Sequence, residues 1–214
     1  MARPITQAQR REDILRAAIS LVGETDLAQL SLAQVADRLG VTTNAIRYYY
    51  SDIESLTAEL AARSNTRFYE DRLALIDTIA DHEKRLEAVI EAGLPTGPED
   101  AEWRVIWMAI LDAGFDLKNR SDVQAIYHRQ VGLYESLLAA GSRAGDFDLQ
   151  QEARDIAMTL MSMEDYLGYR IAARDPLVSR KTALHLMKDF VRVSVRPQSL
   201  EHGFQSGQSR HRDS

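Results

Sequence analysis

The sequence predicts an all-α protein of about nine helices. Three observations carry that prediction. Gly and Pro are scarce, at 11 and 5 of 214 residues, against a joint average of about 12% in soluble proteins, so turns are few and elements long. Ser, Thr or Asp is followed three residues later by Gln or Glu at Thr6/Gln9, Ser31/Gln34, Ser51/Glu54, Thr96/Glu99, Ser121/Gln124 and Asp148/Gln151. That is the capping-box spacing, and each pair precedes a segment whose apolar residues recur at helical intervals. No stretch reads convincingly as a strand. Val191, Val193 and Val195 alternate, but Leu184, Met187 and Val191 already follow the helical period.

The first helix is expected over 7–22, where Ile14, Ala18, Leu21 and Val22 form one apolar stripe and Gly23 is placed to end it. Short helices follow at 32–39 and 43–49. A long helix starts near Asp52 and reaches towards Ile79. Further helices are expected at 82–92, 99–117, 121–144, 150–173 and 179–195. The segment Leu94-Pro95-Thr96-Gly97-Pro98 is the clearest loop. From Arg196 the chain is rich in Gln, Ser, Gly, His and Arg and poor in large apolar residues, so 196–214 is expected to be a disordered tail. The division expected is a first domain over 1–56, with the long helix continuing into a second over 57–195.

Composition excludes several function classes. The chain has no cysteine, which removes disulfides, thiol nucleophiles, iron–sulfur clusters and Cys-based zinc sites. The longest apolar run, 105–111, is far short of a membrane span. With polar residues following Met1-Ala2-Arg3-Pro4 in place of an apolar leader, a cytoplasmic location is expected. No phosphate loop, dinucleotide fingerprint, nucleophile elbow or HExxH motif occurs. Glu99-Asp100 and Glu164-Asp165 are acidic pairs, but neighbours on a helix point about 100° apart and make no working catalytic dyad. His82, His128 and His185 are too scattered for a metal site. No enzyme activity and no cofactor are expected. The net charge of −6 weighs weakly against a nucleic-acid partner.

The most informative segment is SLAQVADRLGVTTNAIRYYYSDIESL, residues 31–56. Two short helices crossing steeply need a small residue where they touch, and Ala36 supplies it. The sharp turn needs a residue that tolerates positive φ, and Gly40 supplies that four residues later. Val35, Leu39, Val41 and Ile46 then share one apolar core, and Thr42 can cap the second helix. This is the helix-turn-helix pattern, whose second helix enters the major groove. The bland alternative is an ordinary helical hairpin. Against it, Thr43, Asn44, Arg47 and Tyr48 are left for the outward face. Asn pairs with adenine, Arg with guanine or phosphate, and Thr and Tyr with base edges or phosphate. Tyr50 is expected in the core and Tyr49 near the DNA backbone. Residues 1–52 hold six Arg and six acidic residues, so non-specific affinity for DNA is expected to be modest.

At these residues the sequence resembles the TetR family of bacterial transcriptional regulators. The likeness rests on Arg10-Arg11 in the first helix, then Val35-Ala36, Gly40-Val41, Tyr48-Tyr49-Tyr50 and Leu56. Ile53 stands where the family usually has a phosphate-contacting Lys, and Arg47 where it often has an aromatic. The remainder, with 103–115 and the Gly145-Asp146-Phe147 turn, looks like the effector domain of the betaine-repressor-like subgroup. The resemblance implies a homodimeric repressor on a palindromic operator, released by a small-molecule effector. The DNA-contacting set it implies is Arg11, Ser31, Thr42, Thr43, Asn44, Arg47, Tyr48 and Tyr49. A helical ligand-binding protein without DNA binding is the alternative.

In the second domain Trp103, Trp107, Phe115, Tyr127 and Tyr134 are candidate effector-binding aromatics, with an ordinary helical core as the competing reading. The last two helices carry more apolar residues than one buried stripe requires. Ile156, Leu160, Met163 and Leu167, with Leu184, Met187 and Val191, are the expected dimer seam.

Overall fold

The computed structural model describes residues 6–24, 30–112 and 121–197. Among these the order is α1 (Gln7–Glu24), α2 (Leu32–Leu39), α3 (Thr43–Arg47), α4 (Ile53–Asp77), α5 (His82–Gly93), α6 (Ala101–Asp112), α7 (Ser121–Ala144), β1 (Phe147–Leu149), α8 (Ala153–Ala172), α9 (Arg180–Ser194) and β2 (Val195–Pro197). The all-α expectation holds, with one addition. β1 and β2 pair antiparallel, Phe147 opposite Pro197 and Leu149 opposite Val195. Arg196 and Pro197 therefore belong to a strand and not to a tail. Val191 and Val193 of the alternating stretch belong to α9, as the helical period predicts, and only Val195 enters the strand. Phe115 and residues 198–214 lie outside the described residues.

The caps explain where the helices start. Thr6 and Ser31 accept from the backbone N–H of Gln9 (3.1 Å) and Gln34 (3.3 Å), as their spacing predicts. Two other predicted boxes are displaced. Asp52, not Ser51, accepts from Ser55 N–H at 2.7 Å, and Asp100, not Thr96, accepts from Trp103 N–H at 3.1 Å. In both cases an adjacent carboxylate wins, since an anion at a helix N-terminus also meets the helix dipole. Asp148 sits in β1, so α8 begins at Ala153 behind an uncapped Glu152.

Apolar side chains gather in two clusters. The first joins Ile14, Ala18 and Val22 of α1, Val35 and Ala36 of α2, Ile46 of α3 and Leu56 and Leu60 of α4, with Val105 of α6. The second is built from α5, α7, α8 and α9 with Ile76 at the far end of α4. α4 thus has one end in each cluster. Its 25 residues span about 37 Å at 1.5 Å per residue.

Ile156, Leu160 and Met187 are fully enclosed in the second cluster. That corrects the expected seam, because a side chain with no exposed surface cannot meet a partner. Met163, Leu167, Leu184 and Val191 are partly buried against the same cluster. The apolar residues left exposed on these helices are Met158, Tyr166 and Tyr169 on α8 and Leu186 and Val193 on α9.

Candidate nucleic-acid interface and ligand pocket

α2 and α3 are held in their crossing by the small set of residues that the spacing picks out. Ala36 is buried at the contact, and Gly40 takes φ 64°, the left-handed conformation. The turn then closes through Val41 N–H donating to Ala36 O at 3.0 Å. Val35 and Ile46 are enclosed, and Leu39, Val41, Tyr49 and Ile53 pack around them. Ile53 therefore serves the core at a position where a Lys would reach outward.

Thr42 caps α3 by accepting from Ala45 N–H at 3.3 Å. The helix presents Asn44, Arg47 and Tyr48 outward, with Thr43 half-exposed beside them. Tyr48 is 75% exposed and meets Tyr49 edge to face, ring centroids 5.1 Å apart. Arg47 makes no ion pair among the described residues, so its charge is free for a partner. Ser31 spends its hydroxyl on the α2 cap. Arg11 is engaged inside the protein: it pairs with Glu59 of α4 and its guanidinium lies 4.8 Å over the buried Tyr50 ring. The ion pair and the stacking hold Arg11 where α1 meets α4. Arg63 forms a second α4–α1 tie through a two-pronged contact with Glu12, at 2.5 and 2.6 Å.

The second site is a cavity of about 440 Å³ among α4, α6, α7 and α8, within the usual range for small-molecule pockets. Trp103 and Trp107 lie in its wall as a stacked pair, centroids 5.5 Å apart. Tyr127 joins them, so three of the predicted aromatics meet there. Tyr134 does not line it. It is fully buried behind the wall, its hydroxyl donating to Glu164.

Sequence reasoning missed Phe68, Asn65, Gln130, Glu164 and Asp165 of the lining. Glu164 is 2% exposed and receives both guanidinium nitrogens of Arg72, 1% exposed, at 3.0 and 3.1 Å. Arg72 also donates to Gln130 Oε1 (2.8 Å) and Val89 O (3.0 Å). Burial works against the Arg72 charge, but Glu164 and Tyr134 overcome it and hold its pKa above the ordinary value. Burial, and then Glu164, push the Tyr134 hydroxyl well up. Asp165 has no such partner among the described residues. Burial, and after it the Glu164 charge, push its carboxyl up to about 8. A signal for Glu164 did exist: it falls on the helical period of Ala157, Leu160, Met161 and Gly168, where an apolar residue belongs.

Gly93 and Gly168 make this packing possible. A Cβ on Gly93 would collide with the Glu164 carboxylate, and one on Gly168 with the Trp103 ring. Trp103 then donates from Nε1 to Gly93 O at 3.3 Å. A neighbouring cavity of about 500 Å³ runs from Leu30 and Ile53 along α4 and shares Asn65, Val123 and Ile126 with the first.

Comparison with known proteins decides the family. A model of the tetR family of bacterial regulatory proteins matches residues 14–60, and a model of the C-terminal domain of BetI-type transcriptional repressors matches 82–195, more than half the chain. The chain belongs to the TetR family and is of the BetI type. It is a transcriptional repressor, a DNA-binding regulator and not a catalyst. The BetI regulator of Serratia proteamaculans is 24% identical over 192 residues, covering 89% of this chain and 94% of its own length. A transcriptional regulator from Saccharomonospora viridis, solved in complex with choline, superposes with a TM-score of 0.79 at 24% identity, covering 88% of this chain and 98% of that one. A TetR regulator from Haloarcula marismortui gives 0.73 at 20% identity, covering 88% and 100%. Both structures share the TetR fold with this chain. No helix among the described residues is long and apolar enough to cross a membrane.

Proposed function

We propose that this TetR-family repressor binds a palindromic operator in the cytoplasm as a homodimer, reads it with Thr43, Asn44 and Arg47, and is released by a small cationic effector. One observation carries the effector reading: among the described residues, a stacked indole pair and a carboxylate without an ion-pair partner share a cavity whose wall holds neither Lys nor Arg. Indole faces attract cations, quaternary ammonium above all. The relative solved with choline supports that ligand class.

The α4 helix gives the effector a route to DNA. Asn65 and Phe68 line the pocket, while Leu56 and Leu60 of the same helix sit in the core of the reading head. A ligand that tilts α4 moves two reading heads out of the spacing that a two-fold operator demands. A hundredfold preference for the released shape supplies about 2.7 kcal/mol of coupling. The dimer seam is assigned to the exposed residues: Met158 and Tyr166 on α8, with Leu186, the half-buried Phe190 and Val193 on α9. Leu186, Phe190 and Val193 recur at one helical face, and Val193 is 71% exposed.

The test is a choline titration that follows tryptophan emission and binding to the chain's own upstream DNA together. Both tryptophans lie in the pocket wall, so emission reports occupancy. Quenching with unchanged DNA affinity would break the coupling. Arg47→Ala is expected to weaken operator binding by about 1–3 kcal/mol if Arg47 reads a base, or to flatten the salt slope by about one if it touches phosphate. Leu186→Glu is expected to dissociate the dimer in sedimentation, and a monomeric wild type at micromolar concentration would defeat the seam.

A further inference from the structure

Two acidic residues stand side by side on α8, and the fold treats them in opposite ways. Successive helical residues diverge by about 100°, so Glu164 and Asp165 face different surroundings. Glu164 receives a bidentate guanidinium and a phenol, which occupy both of its oxygens. Asp165 is partly buried in the same pocket wall and pairs with nothing among the described residues.

Among the described residues that share the pocket with Asp165, none offers it a free counter-charge. From α6 the pocket receives Trp103, Ile106, Trp107 and Ile110, none of them charged. From α4 the one cation in reach is Arg72, committed to Glu164. From α7 come Tyr127 and His128, with Tyr134 behind the wall, and the charge that acts on Asp165 is that of Glu164. An ionised carboxylate in such a place is costly unless a cation accompanies it.

A second feature points to an occupant. Gln130 is 2% exposed, and its Oε1 is taken by Arg72. Its Nε2 is left in the pocket wall without a partner among the described residues, as is the Trp107 Nε1. Both are donors, so the pocket offers hydrogen bonds to a ligand oxygen as well as an anion to a ligand cation.

We propose that Asp165 is the charge-selecting residue of this pocket, and that it exchanges its own proton for the positive charge of the effector. This deepens the effector reading above and rests on it. In the empty pocket the Asp165 carboxyl keeps its proton. When a cation enters, the O–H bond breaks, the proton leaves to solvent, and the carboxylate stays as the counter-ion of the ligand. No bond to the ligand forms. The direction of the Asp165 shift fits, since a carboxyl at about 8 is mostly protonated at neutral pH. The exchange makes release from DNA depend on pH: cation affinity falls about tenfold for each pH unit below that value and is level above it. It also explains why two adjacent carboxylates are needed. Glu164 keeps Arg72 from neutralising Asp165, and its own charge helps to hold the proton there.

The experiment uses the full chain and two probes of one shape, choline and its uncharged carbon isostere 3,3-dimethylbutan-1-ol. Affinity for each is read from tryptophan emission at pH 6, 7, 8 and 9. Calorimetry in two buffers of different ionisation heat counts the protons released. Wild type is expected to bind choline at least thirtyfold better at pH 9 than at pH 6, to release close to one proton at pH 7, and to bind the alcohol equally at all four. Asp165→Asn mimics the protonated state, so it is expected to fold. It is expected to lose the pH dependence and most of the preference for choline over the alcohol, keeping only the part that the indole faces supply. Asp165→Glu is expected to keep both. His128→Gln is expected to leave the pH profile in place, which separates the carboxyl from the one histidine at the rim.

Choline binding that is level with pH in wild type, or whose preference over the alcohol is undiminished in Asp165→Asn, would overturn the proposal and leave the effector reading standing. A wild type that binds neither probe at any pH would remove both.

Discussion

The reading head and the ligand pocket are built from contacts of different range. In the helix-turn-helix the caps and the turn close on partners near in sequence, Ser31 with Gln34, Ala36 with Val41 and Thr42 with Ala45, and the long-range ties of Arg11 and Arg63 only seat it against α1 and α4. In the pocket, Arg72 meets Glu164 across 92 residues and Tyr134 meets it across 30. Gly168 makes room for Trp103 from another helix. The first unit is therefore specified by local spacing, and the second by how four helices happen to face one another. Substitutions in the two regions should fail in different ways, which gives the comparison its tests.

The largest effect is expected at the long-range pair. Arg72→Met leaves Glu164 and Tyr134 facing each other in a closed site, and should cost about 3–5 kcal/mol in thermal or denaturant unfolding. The double variant Arg72→Met/Glu164→Met should recover a large part of that, because an apolar pair leaves no buried charge. If the double variant is as unstable as the sum of its singles, the two residues do not act as a pair, and the contrast between the regions loses its main support.

The next effect is a pH dependence that only the pocket should show. The folded-state pKa of Asp165 lies at about 8, above its unfolded value, so the folded chain holds a proton that the unfolded chain has already lost. Its contribution to stability is present at low pH and is lost as pH rises towards 8. Between pH 6 and 8 the ligand-free wild type should lose about 2 kcal/mol relative to Asp165→Asn, since each unit is about 1.4 kcal/mol and partial exposure screens it. Parallel stability curves for the two proteins would show that Asp165 ionises as an ordinary surface carboxylate.

Gly168→Ala should follow at about 1–3 kcal/mol, the usual cost of overfilling a packed site. The rigid Trp103 ring has to move away from α8 and into the cavity. Ligand affinity should fall with it, while the ligand-free protein holds its operator as before. Loss of operator binding at equal foldedness would mean that the two regions are less separate than their contacts indicate.

These differences explain what could be read from the chain. The crossing of α2 and α3 was legible because the Gly40 turn, the Ala36–Val41 contact and the Thr42 cap each depend on a neighbour within five residues, and Val35 and Ile46 then follow from the helical period. The outward set of Asn44, Arg47 and Tyr48 followed by exclusion from that core. Trp103, Trp107 and Tyr127 were legible as a group because aromatics on adjoining helices tend to meet. Tyr134 was misplaced because a tyrosine in a wall and one behind it obey the same period. The seam was misplaced for a related reason: α9 has two apolar faces, and Leu184, Met187 and Val191 turned inward while Leu186 and Val193 stayed out. Periodicity finds a face but not what it touches. Arg72 and Glu164 lay hidden because no local rule joins positions 92 residues apart.

The smallest effect isolates backbone conformation from packing, using a glycine from each region. Gly93 is needed for space, since a Cβ there meets the Glu164 carboxylate. Gly40 is needed for its dihedral angles alone: φ is 64° and nothing lies within 4 Å of where a Cβ would stand. Gly40→Ala should therefore cost only about 1 kcal/mol, the price of a left-handed alanine. Gly40→Asn should recover about half of that, because asparagine tolerates the left-handed region. No such rescue is expected at Gly93, where the larger Asn collides harder than Ala. Unfolding midpoints of the four variants give the answer. If Gly40→Asn proves worse than Gly40→Ala, side-chain volume matters at the turn after all, and the reading head depends on close packing in the same way as the pocket.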